Sequence, residues 1–168
     1  MIGPEGGRRK AGGGDARAAR LADTFRRRGL LVALVNVAGV APGRTEQARP
    51  GGALPEGWTE LVPELEPQPQ DHRLTRRTWG AFASTDLLDR LRREGVTQVV
   101  IAGIATSIGV ESTARQAYEF GFNVTLATDA MTDRSAEAHN NSVSRIFPRL
   151  GETGTTNEIL QLLGEAGR

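Results

Sequence analysis

The chain has 168 residues, 21 basic and 20 acidic side chains, a formal net charge of +1 and no cysteine. That length suits one domain whose core needs no disulfide or metal to hold it. The lack of cysteine excludes disulfides, Cys-based zinc sites and a thiol nucleophile, and the balanced charge provides no field to draw nucleic acid or membrane.

No apolar run reaches bilayer length and the N-terminus lacks a hydrophobic signal core, so a soluble, cytoplasmic protein is expected, without a membrane or nucleic-acid partner. Residues 1–14, MIGPEGGRRKAGGG, are rich in Gly, Arg and Lys and nearly devoid of large apolar side chains. Such a stretch cannot bury enough surface to offset its ordering entropy, which predicts a disordered tail ahead of a domain over 15–168. Asp15 is a fair N-cap, and Ala16, Ala19, Leu21, Ala22 and Phe25 recur at helical spacing until Gly29. Leu30 to Val37, LLVALVNV, then reads as a strand buried on both faces of a parallel sheet. The Pro/Gly-rich connection from Ala38 to His72 is too long for an ordinary loop, and Trp58 and Leu61 are expected to pin its middle.

Further on, STD (84–86) predicts a helix start, with Leu87, Leu88 and Leu91 as its stripe and Gly95 as its stop. TQVVIAG (97–103) is the next strand, a helix follows it, and FNVTLAT (122–128) is another strand with Asp129 at its end. SAEAHNNSVSRIFPRL (135–150) reads as a helix interrupted near Pro148, and TTNEILQLL closes the chain with Thr156 or Asn157 as cap. Alternating strands and helices predict an α/β doubly wound parallel sheet.

GIATSIGVESTARQA (103–117) places a glycine-bearing turn between a strand and a helix, where backbone N–H groups and the positive end of the helix dipole stabilise a developing oxyanion. With VVIAG before it, YEFGFNVTLATDAMTD after it and TWGAFASTDLLDRLRREGV upstream, this segment resembles the isochorismatase-like (cysteine hydrolase) family from about Arg17 onward. The resemblance implies a Rossmann-like fold with a six-stranded parallel sheet, a homodimer or larger homo-oligomer, and hydrolysis of small amides, carbamoyl compounds or a vinyl ether. It further implies a Cys–Asp–Lys triad and a cis peptide that aims two amides at the substrate oxygen. On this chain the cis bond falls between Ile104 and Ala105, and the amides are those of Ala105 and Gly109.

The triad is degenerate here. Gly109 stands at the cysteine position, and Arg76, six residues before Phe82, stands at the lysine position. Arginine keeps the charge and grips carboxylates bidentately but cannot shuttle a proton. No segment resembling the family's first strand, with its aspartate, precedes the first helix, so the sheet is expected to lack its first central strand. A misplaced start or a frame difference near the N-terminus would account for a resemblance that begins at the helix. Isochorismatases proper also carry glycine at the cysteine position, which keeps vinyl-ether hydrolysis open with a recruited carboxylate such as Glu111 or Asp129.

Metal-binding relatives place an Asp-x-His…His cluster after the second strand, where this chain reads NVAGVAPGRTEQ, so no metal or other cofactor is expected. His139 reads as a surface or capping histidine. Asp129 and Asp133 lie beyond a strand's C-terminal end, where active sites gather, but TDRSAE reads as an ordinary helix entry with Asp133 or Ser135 as cap, and GETGTT (151–156) lacks the lysine of a phosphate loop. Arg76, and less so Arg77, is a candidate for a small anionic ligand. The functional expectation is a hydrolase of this family with a lost or incomplete triad, and the alternative is a non-enzymatic carboxylate-binding or assembly subunit.

Overall fold

The computed structural model describes residues 13–46, 57 and 59–165. The predicted tail up to residue 12 and the anchoring role of Trp58 lie outside the described residues. The first helix, α1 (Gly13–Arg27), begins two residues ahead of the expected Asp15 boundary, and the first strand is the shorter β1 (Ala33–Val37). Next come β2 (His72–Arg76), α2 (Leu87–Arg93), β3 (Gln98–Ile104) and α3 (Glu111–Glu119), the last preceded by a π-helical turn at Thr106–Val110. β4 (Asn123–Thr132), α4 (Ala136–Asn141), α5 (Phe147–Leu150), β5 (Glu152–Gly154) and α6 (Thr156–Glu165) complete the order.

This is an α/β fold with parallel sheets flanked by helices, but its strands form two sheets rather than one. β1 pairs with β2, and β3, β4 and β5 form the second sheet, every pairing parallel. β2 and β5 are strands the sequence pattern does not announce. β2 reads HRLTR, with one apolar residue among five, and β5 has only three residues. The break near Pro148 is a π-helical turn, Ser142–Ile146, between α4 and α5.

Alternation along the strands divides the core into two layers. Val99, Ile101, Val124 and Leu126 face a cluster that includes Leu87, Leu91, Ala114, Ala117, Phe122 and Phe147. Ala33 and Val35 of β1 and Leu74 of β2 pack on that same cluster, so both sheets share one helical layer. Val100 and Ala102 turn the other way, toward Leu21 of α1 and Ile159 of α6. The β3–β4 register slips between Ile101 and Gly103: Ile101 opposes Leu126, whereas Gly103 opposes Met131. Gly103 adopts φ +128°, a conformation that a side chain would oppose, so the irregularity needs glycine there.

Burial tracks the division of the sheet. β4 is paired on both edges and holds Leu126 and Ala127 at 0 % exposure. β3, paired on one edge, is half-buried from Val99 to Ile104, and in β1 only Leu34 is buried, not the whole strand as expected. Of the described helices, none is long and apolar enough to cross a membrane.

An ion pair ties α1 to the approach to β2. Arg26 donates through Nε and Nη2 to both carboxylate oxygens of Asp71 at 2.9 and 2.8 Å, and Nη2 also reaches the Leu65 carbonyl. Asp71 also accepts from the Gln68 N–H at 2.7 Å, and its side chain has no exposed surface. Burial disfavours the Asp71 anion, but the Arg26 and Gln68 hydrogen bonds and the positive charges of Arg26 and Arg73 outweigh it and hold its pKa below the usual aspartate value. Asp71→Ala is expected to cost about 3–5 kcal/mol in denaturant unfolding, since it strands a buried guanidinium. Because the folded-state pKa is the lower one, the carboxylate's contribution is complete above its unfolded pKa and fades as pH falls below about 4. Asp71→Asn should therefore flatten the acid limb of a stability–pH curve. In native-state hydrogen exchange, the amides of Leu126 and Ala127 should be protected longer than those along β3.

Candidate functional site

The site residues converge at the C-terminal end of β2 and the start of the helical run after β3. Arg76 is the last residue of β2, opposite Val37 in the register, and is 8 % exposed. Its Nη1 donates to the carbonyl of Thr78 at 2.5 Å and to that of Trp79. No carboxylate pairs with it among the described residues, and burial alone pulls its pKa below the ordinary arginine value. The guanidinium remains charged, so the protein buries a cation satisfied only by carbonyl dipoles.

Its other terminal nitrogen abuts the glycine at 109. A Cβ built on Gly109 would stand 2.5 Å from Arg76 Nη2, 3.4 Å from its Cζ and 3.5 Å from the Ile104 carbonyl oxygen. The arginine thus fills the volume that a side chain at 109 would need. Ala105 and Gly109 are buried, Ile104 is half-buried, and the Ile104–Ala105 peptide is cis. The Ala105 carbonyl accepts from the Ile108 and Val110 N–H groups at 3.2 and 3.1 Å, closing the π-helical first turn.

Neighbouring polar groups hold this turn in place. Asp133 Oδ2 accepts from both the N–H and Oγ of Ser107 at 2.7 Å, and Oδ1 takes the Ser135 N–H. Burial opposes the Asp133 charge, but the Ser107 donors, with the Ser135 and Arg134 amides, outweigh it and depress its pKa. Asp133 therefore caps the helical run from another element, while Ser135 caps α4 through the Ala138 N–H. Of the two expectations for His139, a surface or a capping residue, the structure departs from the first. The histidine is half-buried, and its Nδ1 lies 2.8 Å from Oγ1 of Thr106, whose exposure is 0 %. The helical spacing of SAEAHNNS could not show that partner, which is 33 residues away.

The carboxylates considered as recruits are engaged elsewhere. Glu111 accepts from Ser142 Oγ at 2.6 Å and from Nε and Nη2 of Arg115 at 3.0 and 2.9 Å. Asp129 accepts from the N–H and Oγ1 of Thr156 at 2.7 and 2.8 Å and pairs with Arg17 at 3.1 Å. It lies within β4 rather than beyond it, because that strand runs on to Thr132. Thr156 is consequently not the cap of α6. Thr155 is, with Glu158 accepting from its N–H and Oγ1.

Arg77 is exposed and outside the site, its N–H bound to Ser84 Oγ. His72 pairs with Asp86 at 3.0 Å. No group of three or more His, Cys, Asp or Glu residues that could hold a metal occurs among the described residues. A recess of about 380 Å³ lies away from Gly109, lined among others by Leu34, Asn36, Leu61 and Arg73.

The family profile described as Isochorismatase domain matches residues 13–158, so the chain belongs to the isochorismatase family. The isochorismatase family protein YwoC of Bacillus subtilis (strain 168) is 44 % identical over 151 residues, covering 86 % of this chain and 80 % of its own. YecD of Escherichia coli O157:H7, of the same family, is 42 % identical over 153 residues, 88 % of this chain and 81 % of its own. The solved structure of an isochorismatase family protein from Burkholderia thailandensis superposes with a TM-score of 0.82 at 40 % identity, covering 86 % of this chain and 80 % of that one.

The Gly109–Arg76 packing is checkable by a double-mutant cycle in denaturant unfolding. Gly109→Ala should cost about 1–3 kcal/mol by overpacking against the guanidinium. Much of that cost should vanish in an Arg76→Ala background, where the coupling would exceed the 0.3–0.5 kcal/mol scatter of about-independent sites.

Proposed function

We propose that the protein is a hydrolase that binds a small carboxylate-bearing molecule at the Arg76 guanidinium, beside the helix start at Gly109. The bond it acts on is an amide or carbamoyl C–N bond or a vinyl-ether C–O bond. One observation carries the reading: Arg76 is a buried guanidinium with no carboxylate partner among the described residues, beside a helix start whose dipole is positive. A ligand carboxylate would supply the missing counter-charge, and an arginine fork grips it bidentately. The amides of Ala105 and Gly109 would then face the developing oxyanion. Since position 109 carries no nucleophile, water would attack the substrate directly, with no covalent intermediate on that residue.

Two further relatives, matched over 34 % and 51 % of their own lengths, carry different activity names. The isochorismatase of Bacillus subtilis (strain 168) is 33 % identical over 107 residues, and the ureidoacrylate amidohydrolase RutB of Variovorax paradoxus is 30 % identical over 129 residues. A second reading, a carboxylate-binding or assembly subunit without turnover, is favoured by one specific fact. Glu111, Asp129 and Asp133 all spend their oxygens on structural hydrogen bonds, which leaves none of the three ready as the acid that hydrolysis requires. We also propose that the two sheets flank the place of the family's first strand. The half-burial of β3 along its unpaired edge supports this.

Calorimetric titration with small carboxylates tests the site. Binding is expected in the wild type, lost in Arg76→Ala and mostly spared in Arg77→Ala. Equal loss in both variants, or no binding at all, would reduce Arg76 to a structural cation. Water consumption in a panel of amides, carbamoyl compounds and vinyl ethers then separates the hydrolase from the binding subunit.

A further inference from the structure

The loop that grips Arg76 carries an unusual side chain for its setting. Trp79 is 55 % exposed, yet its own carbonyl accepts from Arg76 Nη1, so its backbone sits directly against the buried cation. The loop around it is held on both sides. Thr78 Oγ1 donates to the Gly80 carbonyl at 2.8 Å and lies 3.1 Å from Ser84 Oγ. The Ala81 N–H reaches Thr113 Oγ1 at 3.1 Å and the Phe82 N–H reaches Gln116 Oε1 at 3.2 Å, stitching the loop onto α3. Thr113 Oγ1 in turn donates to the Gly109 carbonyl at 2.7 Å, so one side chain links this loop to the helix start of the site. At Gly80 a Cβ would displace the Gln116 side-chain amide, the group that also accepts from the Phe82 N–H.

The large indole is left in solvent and forgoes the stabilisation of burial, whereas the residues that follow in the loop, Ala81 and Phe82, are buried in the core. From this juxtaposition of a fixed cation and an exposed aromatic on one stitched loop, we infer that Trp79 is a specificity-determining residue. It stacks on the body of a carboxylate ligand held by Arg76, and so selects flat, unsaturated or aromatic carboxylates over puckered saturated ones. The inference rests on the carboxylate reading of Arg76 and adds the shape of the ligand to it. Its physical basis is the offset stacking of a planar π-system on indole, which a saturated ring of equal size cannot reproduce.

Three probe carboxylates separate this idea from the one beneath it: acetate, benzoate and cyclohexanecarboxylate, titrated calorimetrically and by tryptophan fluorescence at constant ionic strength. Benzoate is expected to bind roughly three- to tenfold more tightly than cyclohexanecarboxylate, the range that stacking energies give. That ratio should collapse toward one in Trp79→Ala and persist in part in Trp79→Phe, which retains a flat ring and guards against a folding artefact. Tyr118, 54 % exposed on α3, is the control, and Tyr118→Ala should keep the wild-type ratio. Equal affinities for benzoate and cyclohexanecarboxylate, with acetate still bound and lost in Arg76→Ala, would overturn the role of Trp79 and leave the Arg76 site standing. Failure of all three probes to bind would overturn both.

Discussion

A buried guanidinium must be answered by something, and in this protein the answer is unusual. Arg76 ends a strand, turns into the interior and finds two carbonyls instead of an acid. Carbonyl dipoles satisfy its hydrogens but leave its net charge uncancelled, and an uncompensated charge in a poorly polarisable interior is costly. Two neighbouring features are fitted to that side chain. The guanidinium occupies the volume beside Gly109, and the Thr78 and Trp79 carbonyls are the acceptors of its Nη1. Position 109 and position 76 are thus one steric unit, and the identity of either constrains the other.

Acidic residues are plentiful around this region, and the fold spends them on backbone. Asp133 caps the helical run after β3, Asp129 holds the start of α6, and Glu111 fastens α3 to the π-helical turn at Ser142. Each takes orphan donors at helix starts or buried hydroxyls that would otherwise lose hydrogen bonds to water, which is worth about 1–3 kcal/mol apiece when the group is buried. Among the described residues no carboxylate pairs with Arg76. On the proposed reading a ligand's carboxylate answers the cation, beside the positive end of the helix start.

The division into two sheets belongs to the same architecture. A strand paired on both edges, such as β4, reaches complete burial at Leu126 and Ala127, whereas β3 with one free edge stays half-open although helices cover both its faces. What holds the smaller sheet to the larger is therefore packing and side-chain bonding rather than a shared ladder. Ala33, Val35 and Leu74 join the common core, and the Arg26–Asp71 pair anchors the far end of α1 beside β2. α1 reaches the other sheet at its opposite end through Arg17 on Asp129, so a single helix spans both.

Some of this was written in local sequence. The apolar runs of β3 and β4, the leucine stripe of α2 and the glycine at its end depend on periodicity and turn chemistry, which act over a few residues and can be read there. So could the family resemblance, carried by the 103–117 turn, and with it the positions of Gly109 and Arg76. β2 escaped because HRLTR has one apolar side chain and becomes a strand only by pairing with β1, and β5 because three residues carry no period. The partner of His139, the caps made by Asp129 and Asp133, and the contact between Arg76 and the glycine 33 positions further on were decided by tertiary structure alone. Sequence fixes which groups exist and what they do to their immediate neighbours. Which donor meets which acceptor across the chain depends on how strands and helices pack, and no local pattern contains that distance.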